Sequence, residues 1–114
     1  MSEEESASQV PEGAAVFPEI PAELGVSPLF LAVLHALVFL QGSEVSVVNT
    51  AAADEAAEYI TGYLQRLEGR DLRRLREDIS CILALAKEEK WPKGDIQFLK
   101  SFMADHGIGQ VEAP

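Results

Sequence analysis

The chain of 114 residues is poor in the side chains that most reactive and metal-binding sites require. It has one cysteine, Cys81, and two histidines, His35 and His106. A lone cysteine makes no internal disulfide, so the fold does not depend on an oxidising compartment, and a cytoplasmic location is expected. No cysteine pair, no H-x-x-x-H and no E-x-x-H spacing occurs, so no metal site is expected. A phosphate-binding loop is missing as well. Gly107-Ile108-Gly109 follows a helical pattern instead of opening one, so no nucleotide cofactor is expected. The remaining material for an active site is His35, Tyr59, Tyr63 and Cys81. It would serve only if folding joined these residues in one polar cavity, and the expectation is a protein that is not an enzyme.

Basic residues are absent from the first 65 positions, which carry ten acidic ones: Glu3, Glu4, Glu5, Glu12, Glu19, Glu23, Glu44, Asp54, Glu55 and Glu58. Residues 66–114 hold nine acids and all nine bases, so the net charge of −10 resides in the first part. That balance disfavours contact with nucleic-acid phosphates and attraction to an anionic membrane surface. The expected partner is a protein or a second copy of the chain, with no direct nucleic-acid contact. The uneven division favours packing of an acidic part against a basic one, within the chain or between copies.

No apolar run is long enough to cross a bilayer. From Leu29 to Leu40 only His35 is polar, but about fourteen helical residues reach only ~21 Å against a hydrocarbon core of ~30 Å. Neither side of the run carries a nearby Lys or Arg, so positive-inside anchoring is missing too. Strand-like alternation is confined to Glu44–Val48, which has no evident mate.

Helical signals fill most of the rest. Ser27-Pro28 is an N-cap followed by proline at the first helical position, and this helix should run to about Gln41, with Gly42 as its left-handed stop. A second is capped by Asn49 or Thr50 and ends near Glu68. A third runs from Arg70 or Asp71 to about Lys90, and a fourth covers about Asp95–His106 before Gly107. His106, at that helix end, suits a capping role. The fold class is therefore all-α, a compact bundle of about four helices over residues 25–107. A flexible acidic and Pro-rich tail, 1–24, precedes it, and a flexible tail, 108–114, follows.

The second helix presents Ala53, Ala57, Ile60, Leu64 and Leu67 as one stripe, widened by Tyr59 and Tyr63. The third presents Leu72, Leu75, Ile79, Ile82, Leu83 and Ala86. The short turn between them predicts an antiparallel hairpin. Ile96, Leu99, Phe102 and Met103 form the inner face of the fourth.

The first helix is apolar on every side, and three short amphipathic helices would not enclose it fully. A monomer would then present Phe30, Leu34, Leu37 and Phe39 as an association surface. Phe17 and Ile20, between Pro11, Pro18 and Pro21, could dock on the domain or on a partner. Arg70, Arg73 and Arg74 fall in the first turn of the third helix, where an anion could bind, although Arg73–Glu77 and Arg74–Asp78 are also spaced for pairing along the helix. Arg74, Asp78, Cys81 and Leu85 are expected on that helix's outer face. These features point to a protein–protein interaction module, either a homo-oligomer or an accessory subunit. The alternative is an acidic inhibitor that mimics nucleic acid on a basic surface.

Overall fold

A computed structural model describes residues 12–109. The tail expectations for residues 1–11 and 110–114 lie outside the described residues. Four helices form an all-α bundle: α1 (Pro28–Gly42), α2 (Thr50–Leu64), α3 (Gly69–Glu88) and α4 (Lys93–Asp105). A short 3-10 turn, Ala22–Leu24, precedes them. Glu44–Val48 is a turn and not a strand, closed by the Val47 and Val48 amides donating to the Glu44 carbonyl at 2.8 and 3.1 Å.

The helix ends follow local chemistry. Ser27 caps α1 by accepting from the Phe30 amide, and Asn49 caps α2 by accepting from the Ala52 amide at 2.9 Å. Both α3 and α4 close in the same way. After α4, Gly107 takes φ +67° while the Gly107 and Ile108 amides return to the Ala104 and Met103 carbonyls. After α3, the same pair of bonds is made by Lys90 to Lys87 and by Trp91 to Ala86, with Lys90 at φ 58° in the position glycine usually takes. The helix therefore stops at Glu88, short of the expected Lys90.

The stop of α1 is not the expected one. Gly42 is still helical, and the cap is Ser43 in an extended conformation. Gly42 serves close approach: a Cβ there would lie 2.9 Å from the Ala15 Cβ. The Ala15 amide donates to Ser43 Oγ at 2.9 Å, and the Glu44 amide donates to the Gly13 carbonyl at 2.9 Å. Residues 13–26 thus start at the C-terminal end of α1 and run back along it to its N-terminus.

The flexible tail expected over 1–24 is packed on the domain over 14–24, so of the two dockings open to Phe17 and Ile20 the structure takes the one within the chain. Phe17, Ile20 and Val26 are buried in the same core as the helices. Phe17, only 2% exposed, meets His35, Trp91 and Phe98 edge-on at ring-centroid distances of 5.4, 5.7 and 6.5 Å. The cause is the all-round apolar α1, whose extra side needs a cover that the other helices do not supply. Ile108, expected to begin the C-terminal tail, is fully buried as well, drawn inward by the turn at Gly107.

Helix pairing also differs from expectation. Close backbone approaches join α1 to α2 and α3 to α4, and the α2–α3 hairpin is not among them. Ala53 and Ala57 are the buried residues of α2, and such small side chains let its backbone come close to the bulky α1.

Candidate functional site

The core absorbs most of the expected partner surface. Phe30, Leu34 and Leu37 are buried on the inner side of α1, and Phe17 and Ile20 are buried within the entry segment. Within the chain these five residues hold the fold together and form no open surface. Phe39, half-turned outward at 40% exposure, stays accessible. Leu29, in the first turn of α1, is far more open at 82%.

Leu29 stands at the mouth of an apolar groove of about 260 Å³ where the start of α1 meets the end of α2 and the start of α3. Phe30, Val33, Leu64, Leu67 and Leu75 supply its apolar wall, and Asp71, Arg74 and Asp78 its polar end. A second hollow of about 260 Å³, lined by Arg70, Asp71, Arg73, Arg74 and Glu77, shares Asp71 and Arg74 with it. Apolar and cationic surfaces thus adjoin.

One buried carboxylate holds this corner in place. Asp78 is 4% exposed and accepts from the Ser27 amide at 3.2 Å and from Arg74 Nε at 2.9 Å. Arg74 also donates through Nη2 to the Gly25 carbonyl at 2.9 Å. The third residue of α1 is Phe30, which cannot return a side-chain bond to the cap as Glu or Gln would, so a carboxylate from α3 accepts from the Ser27 amide instead. The hydrogen bond to Asp78, then its charge, hold the Arg74 guanidinium above its ordinary pKa.

The outer-face assignment of Asp78 is therefore corrected. From Leu75 it falls at i+3, beside Ile79 and Ile82, and this spacing was the available signal that a carboxylate sat on the core stripe. Leu85 is half-buried against the core, and Cys81 is exposed. With Arg74 engaged, the expected anion-binding trio reduces to Arg70 and Arg73. Both are exposed, and neither side chain makes an ion pair or hydrogen bond among the described residues.

The other candidates stand apart. His35 packs on Phe17, Tyr59 and Tyr63 are exposed on α2, and Cys81 is exposed on α3. His106 caps α4: its amide and its Nδ1–H donate to the Phe102 carbonyl at 3.2 and 2.7 Å. His106 also lines an open polar hollow of about 630 Å³ with Gln41, Asp54, Glu58 and Asp105. Among the described residues no group of three His, Cys, Asp or Glu side chains is placed to hold a metal ion, and no helix is long and apolar enough to cross a membrane.

No family model, no curated protein and no solved structure shows significant similarity to this chain. The chain is a small all-α helical domain, and its surface chemistry must speak for its function.

Proposed function

We propose that the chain is a non-enzymatic protein–protein interaction module of the cytoplasm, an accessory subunit or self-associating protein, that docks through the N-terminal end of α1. The observation that carries this reading is Leu29: a large apolar side chain left 82% exposed beside a groove lined by further apolar residues. Isolated exposed leucines are ordinary, but one set beside an apolar groove offers a partner both a knob and a hole. Arg70 and Arg73, free of ion pairs among the described residues, lie beside the groove to receive carboxylates of the partner.

Leu29→Asp tests the proposal, because a residue so exposed should change folding stability by less than about 0.5 kcal/mol. The tagged chain and this variant are recovered from the source cells under high salt and also sedimented alone. A stoichiometric partner or a dimer that the variant loses supports the reading. A chain that brings no stoichiometric partner and forms no dimer sensitive to Leu29→Asp refutes it, as does a partner that the variant retains.

A second reading, an acidic inhibitor of a basic surface, also has a specific observation behind it. Glu12, Glu19, Glu23, Glu44, Asp54, Glu55 and Glu58 are all exposed, and none pairs with a base among the described residues. Binding of that kind falls steeply as salt rises and is weakened by the triple change Asp54→Asn, Glu55→Gln and Glu58→Gln, whereas groove docking persists.

A further inference from the structure

The outward face of α2 bears an ordered series that the fold leaves uncovered: Glu55, Tyr59, Tyr63 and, in the turn just beyond the helix, Arg66. At about 100° per residue, these four fall within about 80° of one another, so they form one stripe. All four are exposed, with Tyr59 at 63% and Tyr63 at 60%. The Arg66 guanidinium lies over the Tyr63 ring, 4.9 Å from its centroid, which keeps the basic end on this stripe. Glu55 is exposed at the other end without an ion pair among the described residues, and Glu58 is beside it.

The order along the stripe is acid, aromatic, aromatic, base, and its midpoint falls near position 61, between the two tyrosines. A sequence of this kind is complementary to itself in reverse. Two copies related by a two-fold axis at that position run antiparallel, with Tyr59 against the partner copy's second tyrosine and Glu55 against its arginine. A two-fold contact needs this property, since each copy presents the same patch to the other. Tyrosine suits the centre of such a patch, and charges of opposite sign at its ends fix direction and register.

A separate observation falls at the same midpoint. Gly62 lies inside α2, where glycine is a much poorer helix former than alanine, and its φ is not positive. A Cβ added there would meet nothing within 4 Å, so no close packing inside the chain requires glycine. It is one residue from the two-fold position and at the Glu55 edge of the stripe, about 20° from Glu55 and about 100° from Tyr63, so it borders the contact between two antiparallel copies of α2.

We propose that α2 is a homodimer interface in which the stripe Glu55–Tyr59–Tyr63–Arg66 pairs antiparallel with that of a second copy. The acidic first part of the chain, whose carboxylates pair with no base among the described residues, then meets a base across the two-fold axis. This contact is separate from the groove at Leu29.

Charge exchange tests it on the full-length chain by sedimentation across a concentration series. The wild type dimerises reversibly. Glu55→Arg alone sets two cations against each other at both ends of the stripe, and Arg66→Glu alone sets two carboxylates there, so each weakens the dimer about tenfold or more. Mixing the two single variants restores association as a heterodimer, because each carries the charge that the other lacks, and the double variant E55R/R66E dimerises again with itself. Gly62→Ala leaves the fold intact and weakens the dimer. Leu29→Asp leaves it unchanged. A wild type monomeric throughout the series overturns the proposal. So does a dimer insensitive to both single substitutions, a mixture that stays monomeric, or a dimer lost with Leu29→Asp, which would assign self-association to the groove.

Discussion

Replacing Phe17 by alanine is the sharpest test of how this small core is completed. Phe17 precedes the α1 cap by ten residues, in a stretch marked by prolines, yet its side chain is 2% exposed and touches His35 of α1, Trp91 of the α3–α4 turn and Phe98 of α4. A fully buried phenylalanine cut to alanine loses about 3–5 kcal/mol through lost transfer energy and the cavity left behind. A domain of this size has about 5–15 kcal/mol in total, so the loss is between a fifth and all of it. The melting temperature should fall by at least about 12 °C, and the urea midpoint should fall with it. Circular dichroism reports the helices, and Trp91 fluorescence reports the site itself, because its ring lies 5.7 Å from that of Phe17. Val16→Ala is the matched control, 67% exposed and expected to change stability by less than about 0.5 kcal/mol. A Phe17→Ala chain within about 1 kcal/mol of wild type would refute the reasoning, since the entry segment would then contribute no core.

Other consequences follow from the same packing. Asp78→Ala leaves the partly buried Ser27 amide without its acceptor and should cost about 1.5–3 kcal/mol by chemical denaturation; a loss under about 0.5 kcal/mol would mean water substitutes freely. Gly42→Ala favours the helix but places a Cβ 2.9 Å from that of Ala15, so it should destabilise the chain, and Ala15→Gly in the same chain should recover most of the loss. Lys90→Gly relieves a left-handed residue and should raise stability by up to about 1 kcal/mol; a decrease would show that the lysine side chain has a packing role at the end of α3.

Much of the local structure was legible in the residues. Ser27-Pro28 and Asn49 carry the chemistry of helix starts, and Gly107 that of a stop, so those boundaries lie where the caps do. The inward stripes of α3 and α4 follow the helical period, and Leu75, Ile79, Ile82, Leu99 and Phe102 are buried as their spacing indicates. Asp78 was readable in the same way, as a carboxylate at a core spacing, but its acceptance of the Ser27 amide joins residues 51 positions apart, which periodicity does not reach.

The candidate site was less legible. A helix apolar on every side states that it must be covered and does not state by what. Phe30, Leu34 and Leu37 therefore read as surface in search of a partner, when the chain's own entry segment and helices supply the cover. What remained open, Leu29, is set by where that segment ends and α1 begins. The all-α class and the caps were present in the order of residues, because each depends on neighbours within a turn or two, and the separation of acidic from basic residues is a property of the order itself. The pairing of α1 with α2 and of α3 with α4, the completion of the core by Phe17 and Ile108, and the choice of which apolar and charged residues stay uncovered emerged only on packing. Burial is a property of all elements assembled together, and no local pattern contains it.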